Sequence, residues 1–159
     1  MCAICGIVNR REPVNRDLLQ KMTRLMAYRG PDEEGYFFRD NVGLGHRRLS
    51  IIDLKTGQQP IASEDSRILL VCNGEIFNFQ DLRKELTRKG HRFRSFSDNE
   101  VIVHLYEEKG FDCLHDLRGM FAFAIWDDRK KLLFLARDRV GKKPLIYTRV
   151  NGNFAFASE

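Results

Sequence analysis

Cys2 stands directly behind Met1 and begins the run Cys2-Ala3-Ile4-Cys5-Gly6-Ile7-Val8. Removal of Met1 would leave a thiol nucleophile and a free α-amine on one residue. An α-amine has a pKa of about 7.7–8.0, so at neutral pH a fraction of it is unprotonated and able to act as a base. An N-terminal nucleophile activated by its own amine is a known catalytic arrangement. A cysteine at this position is otherwise a frayed chain end. The apolar residues Ile4 to Val8 around Gly6 read instead as a buried strand, which would hold the terminus inside the fold.

Other residues of chemically able types occur in short runs elsewhere in the chain. Asn73-Gly74-Glu75 follows the apolar run Ile68–Cys72, Arg47-Arg48 follows His46, and Asp98 lies within Ser97-Asp98-Asn99-Glu100. Guanidinium donors match a carboxylate, two acids suit an ammonium group, and an Asn amide beside a Gly N–H can converge on a developing oxyanion. Each also has a plainer reading. Arg47-Arg48 reads alone as a surface pair, Asn73-Gly74 as a hairpin turn, Asp98 as a favourable helix N-terminus, and Glu100 as a cap. The histidines His46, His91, His104 and His115 stand isolated and call for no catalytic role. Cys2 and Cys5 have zinc or redox spacing, and a disulfide between them could inactivate the site. Cys72 and Cys113 form no second pair, so metal and redox roles are minor alternatives.

These residues need a scaffold, and 159 residues suffice for one domain with a real core. Asn15 can cap a helix from Arg16 to about Ala27, with Leu18, Leu19, Met22, Leu25 and Met26 at helical spacing. Arg29-Gly30-Pro31-Asp32 breaks it. Strands are expected at Tyr36–Phe38, Val42–Leu44, Leu49–Ile52 and Ile68–Cys72. A short helix should open at Asp81 and end near Gly90. Another, with capping-box spacing from Ser97 to Glu100, should carry Val101, Ile102, Leu105 and Tyr106 as far as Gly110. Two hairpins close the chain: Phe121–Trp126 with Leu132–Ala136, and Ile146–Val150 with Phe154–Ala157 through Asn151-Gly152. Strand Ile68–Cys72 is apolar on both faces and should be covered on both sides. An α+β domain of layered sheets fits this order.

The 43% hydrophobic and 31% charged content is that of an ordinary globular protein. The net charge of +5 is spread over pairs of basic residues interleaved with acids, which argues against a nucleic-acid partner. The longest apolar stretch, Met120–Trp126, is too short to span a bilayer, and no export signal opens the chain, so a cytoplasmic protein is expected.

The segments Met1–Gly6, His46–Asp53, Asn73–Asn78 and Ser97–Val101 occur in one order with Arg29–Asp32, Gly119–Phe123 and Ala136–Arg139. Together they closely resemble the glutaminase domain of glutamine-dependent asparagine synthetases, a class II glutamine amidotransferase of the N-terminal-nucleophile hydrolase type. The resemblance covers essentially the whole chain. It implies a four-layer α-β-β-α sandwich with Cys2 as nucleophile, Arg48 on the α-carboxylate of glutamine, and Ile52 supplying backbone contacts. Asn73 and Gly74 would form the oxyanion hole, and Glu75 and Asp98 would hold the α-amine. Where many relatives place Gly directly after the nucleophile, this chain has Ala3; Phe77 replaces a common Tyr, and Val140–Tyr147 varies a usual Phe-Gly-Ile-Lys-Pro-Leu-Tyr-Tyr.

By the same resemblance, residues 1–159 would be the first part of a longer synthetase, with no metal or cofactor used in glutamine hydrolysis. ATP and magnesium would belong to a separate synthetase domain amidating aspartate, since no Ser-Gly-Gly-x-Asp-Ser motif occurs here. The full-length protein could be a homodimer. A different carboxylate acceptor, or a non-catalytic glutamine-binding regulatory role, are the alternatives.

Overall fold

The computed structural model describes residues 1–159. Two antiparallel sheets face each other. The first contains, in spatial order, β2 (Glu33–Arg39), β3 (Val42–Arg48), β1 (Ala3–Val8), β9 (Asn153–Ala157) and β8 (Ile146–Val150). The second contains β4 (Ile61–Ala62), β5 (Ile68–Ile76), β6 (Gly119–Asp127) and β7 (Leu132–Arg137). Helix α1 (Arg16–Leu25) packs on the outer face of the first sheet. Helices α2 (Phe79–Arg88) and α3 (Glu100–Lys109) cover the second, and a 3₁₀ turn, Gly110–His115, follows.

The period-2 alternation of each strand assigns its side chains to layers. On β5, Leu69 and Val71 enter the core between the sheets with Ile4, Leu44, Ala124 and Trp126. Ile68, Leu70, Cys72 and Ile76 face α2 and α3, beside Leu86, Ile102 and Leu105. The strand is thus covered on both sides, as its continuous apolar run demands. On β1, Ile4 points inward while Ala3, Cys5 and Ile7 pack under α1. The result is four layers, α-β-β-α.

Asn15 accepts from Leu18 N at 3.0 Å and caps α1 as expected, an interaction worth about 1 kcal/mol. The buried face of α1 differs from the expectation. Leu19, Thr23 and Met26 are buried, whereas Leu18 and Leu25 are exposed. The reason is the close approach of α1 to two glycines of β3: a Cβ at Gly43 would lie 2.9 Å from Leu19, and one at Gly45 only 2.2 Å from Thr23 Oγ1. The Asn151-Gly152 turn joins β8 to β9 with positive φ at both residues, 52° and 82°, as a two-residue hairpin requires.

Three local expectations are corrected. Leu49–Ile52 forms no strand, because the chain turns after Arg48. Helix α2 starts at Phe79 rather than Asp81. Glu100 makes no capping box with Ser97: its carboxylate accepts from Arg94 N at 2.7 Å and Ser95 N at 2.8 Å. Those amides precede the helix by a full turn, so Glu100 holds the approaching loop rather than the first helical N–H.

Candidate active site

Three strands end at one mouth of the space between the sheets. Cys2 immediately precedes β1, Arg48 ends β3, and Asn73, Gly74 and Glu75 lie near the end of β5. These residues line a single cleft together with Ile52, Asp98 and Asn99. The seven side chains and backbone groups expected from the sequence are therefore brought together. Alternation places Cys2, two positions before the inward-facing Ile4, on the inner face of the first sheet. Asn73, two positions beyond the inward-facing Val71, faces it from the second sheet.

The Cys2 thiol sulfur is 3.4 Å from Leu49 N, which donates to it. Burial pushes the thiol pKa up, while the Leu49 N–H and the nearby positive charges of the N-terminus, Arg48 and Lys143 pull it back. Met1 is attached, and its ammonium donates to Arg29 O at 3.0 Å. The Cys2 backbone nitrogen is thus an amide here and stands in for the α-amine that removal of Met1 would free.

Arg48 is not a surface residue: it is 4% exposed. Its Nη1 donates to Glu33 at 2.9 Å, and its Nη2 donates to Ile52 O at 3.3 Å and to Asp53 O. The turn at Leu49–Asp53 wraps those carbonyls around the guanidinium. Asp53, at φ 53°, completes the wrap by accepting from Thr56 N and from Phe96 N at 2.7 Å. With three of five N–H donors engaged, the guanidinium retains donors for a carboxylate. Arg47 points to the opposite face, donating to Gly30 O at 2.8 Å and Glu34 at 2.9 Å, and so anchors the Arg29–Asp32 turn.

On the facing sheet, Asn73 is 1% exposed, and its Nδ2 has no hydrogen-bond partner within the protein. Gly74 allows close strand contact beside it: a Cβ there would meet Met120 O at 2.5 Å and Phe121 Cα at 2.7 Å. Asn73-Gly74 consequently lies within β5, not in a turn. Asp98 Oδ2 accepts from Ile76 N at 2.7 Å, just beyond Glu75. Burial raises its carboxyl pKa, and the neighbouring charge of Glu75 adds to the rise. A cation bound between these two acids would relieve both effects.

Cys5 does not accompany Cys2. Its thiol lies 3.2 Å from Thr23 Oγ1 under α1, and burial drives its pKa up to about 11. An odd separation along β1 sends the two thiols to opposite faces, which removes both the Cys2-x-x-Cys5 metal site and the inactivating disulfide.

A thiol, a guanidinium with free donors, a buried amide donor and a pair of acids thus share one cleft. The family model for the glutamine amidotransferase domain matches residues 1–159. The chain belongs to the glutamine amidotransferase domain family. It is 47% identical over 163 residues to asparagine synthetase [glutamine-hydrolyzing] 2 of Bacillus subtilis, covering 100% of this chain and 22% of that protein. It is 43% identical over 147 residues to asparagine synthetase B of Escherichia coli, covering 91% of this chain and 26% of the relative. This amidotransferase domain thus spans about a quarter of the length of the curated relatives it matches. The solved B. subtilis glutamine phosphoribosylpyrophosphate amidotransferase superposes with a TM-score of 0.81 at 22% identity, over 99% of this chain and 42% of that one. The fold is accordingly the four-layer sandwich of the N-terminal-nucleophile hydrolases. No helix of the amidotransferase domain is long and apolar enough to cross a membrane.

Besides Leu49 and Gln59, which line the cleft, sequence reasoning missed Lys143, Asp138 and Asn99. Lys143 lines it, 6% exposed, with Nζ 3.4 Å from Met1 Sδ. Asp138 shapes the turn that delivers Lys143, accepting from the backbone N–H groups of Phe121, Val140, Lys142 and Lys143. Asn99 is a buried side chain whose Oδ1 has no partner within the protein. An acid followed by glycine-proximal basic residues in Asp138–Lys143 was the available signal for the turn. Nothing local marked Asn99.

Proposed function

We propose that this domain hydrolyses glutamine to glutamate and ammonia through a thioester on Cys2. The observation that carries the reading is the buried, unpartnered Nδ2 of Asn73, facing the Cys2 side of the cleft where the acyl oxygen would become negative. Arg48 receives the α-carboxylate, the Ile52 backbone borders it, and Glu75 with Asp98 takes the α-ammonium. After removal of Met1 the Cys2 amine accepts the thiol proton, directly or through water. The thiolate attacks the side-chain amide carbon, and the oxyanion is held by Asn73 Nδ2 and Gly74 N–H. One such donor is worth about 2.7–4 kcal/mol in the transition state. The amine then protonates the departing ammonia, and water releases glutamate from the thioester. The Cys2 thiol and amine, the Asn73 and Gly74 donors and water suffice for these steps.

The relatives' names and lengths support a place for residues 1–159 as the glutaminase part of a longer asparagine synthetase. A separate domain using ATP and magnesium would pass the ammonia to activated aspartate. A homodimer and a cytoplasmic setting fit that reading.

The test is glutamate release from glutamine by the chain beside its Cys2→Ala variant. Release that disappears in the variant supports the mechanism, and release that survives overturns it. Mass spectrometry of the active preparation should find Met1 absent.

A further inference from the structure

Outside the glutamine cleft, side chains that are far apart in the sequence meet around α3. Glu64 comes from the turn between β4 and β5, His91 from the segment after α2, and His104 and Glu107 from α3 itself. One ligand atom from each lies within 4.8 Å of every other. His91 Nδ1 is 3.7 Å from both Glu64 Oε1 and Glu107 Oε2. His104 Nδ1 is 3.5 Å from Glu64 Oε2 and 3.1 Å from Glu107 Oε2. We propose that Glu64, His91, His104 and Glu107 form a structural zinc site.

The distances carry the choice of ion. Zinc binds His nitrogen and carboxylate oxygen at about 2.0–2.2 Å, so the edges of a tetrahedral site are about 3.3–3.6 Å. The four nitrogen–oxygen separations span that range, from 3.1 to 3.7 Å. Two imidazoles with two carboxylates suit zinc better than the all-oxygen shells of calcium or magnesium.

The surroundings fit as well. His91 Nε2 lies 3.1 Å from Glu108 Oε1, an outer carboxylate that fixes the tautomer presenting Nδ1 as the ligand. His104 is 1% exposed, and its Nε2, unpaired by any hydrogen bond, lies 3.8 Å from Glu100 Oε1. Lys89, 3.3 Å from Glu108, and Arg94, whose Nη2 donates to Glu64 O at 2.9 Å, are cations at the rim. Four protein ligands close the coordination shell, which makes the site structural rather than catalytic. It would tie the β4–β5 turn and the start of the His91–Asn99 segment to α3. The other end of that segment supplies Asp98 and Asn99 to the cleft.

The experiment titrates the chelator-treated chain with zinc chloride by calorimetry and, separately, with cobalt(II) by visible absorption. One zinc per chain is expected, with a rise in unfolding midpoint of about 5–10 °C at a hundredfold excess over Kd. Cobalt should show tetrahedral ligand-field bands and no thiolate charge-transfer band. Cys2→Ala should bind as tightly as the parent, while a His91→Gln/Glu107→Gln variant should lose binding by at least tenfold. Absence of stoichiometric zinc overturns the proposal, as does a thiolate band or binding lost in Cys2→Ala. The cobalt spectrum of the unsubstituted chain decides the question even if the double variant fails to fold.

Discussion

Adjacent residues of β5 carry two kinds of buried polarity. At Cys72 both buried backbone groups are matched: Gln59 donates to Cys72 O at 3.1 Å and accepts from Cys72 N at 2.6 Å, and His46 Nε2 lies 3.1 Å from the same carbonyl. Burial lowers the His46 pKa to about 3, so it is a neutral partner. At Asn73, one residue on, a buried amide donor has no protein partner. Matched polar groups are how a fold closes the edge of a sheet. An unmatched donor in a cleft opposite a thiol is, on the proposed mechanism, prepared for charge that exists only during reaction. The contrast separates polar residues that hold the structure from those that serve the chemistry.

Replacing Asn73 by Ala should make the contrast most visible. Glutamine turnover should fall by about 10²–10³-fold, while the unfolding midpoint stays level, because no protein hydrogen bond is lost. Steady-state kinetics beside thermal unfolding would check this, and a matching loss of stability would break the distinction. Gln59→Leu should do the reverse. It strands the buried Cys72 N–H and should cost about 1–3 kcal/mol of stability in urea unfolding, with the per-molecule turnover of the folded fraction much less affected.

Asp98 sharpens the comparison by the smallest effect. Its folded pKa is raised by burial and by Glu75, so relative to the unfolded chain folding favours its neutral form. That stability is present below the ordinary carboxylate pKa and lost as the pH rises through the raised value. Asp98→Asn should therefore raise the unfolding midpoint at neutral pH by about 2–4 °C, and the gain should vanish on acidification. Glutamine KM should rise in the same variant. A midpoint that falls at neutral pH would show Asp98 to be a structural residue like Gln59.

The element order and the paired hairpins were legible because alternation, Asn-Gly turns and capping residues are local signals. Local reasoning failed at Leu49–Ile52, where an apolar stretch looks like a strand. Its carbonyls are instead claimed by the Arg48 guanidinium, a partner that periodicity cannot register. It failed likewise at α1, where the glycines of β3 select Thr23 for burial over Leu18.

For the candidate site, the sequence supplied the chemically able residues, and the joint order of their motifs gave the resemblance to a family. Residue types and short-range spacing are properties of the chain itself. The meeting of Cys2 with Asn73 across two sheets, the separation of Cys5 onto the far face of β1, and the convergence of His91 with His104 were settled only by tertiary structure. Each depends on which face a strand turns inward and which segments pack together. Those are set by burial summed over the whole core, and no local stretch of sequence contains that sum.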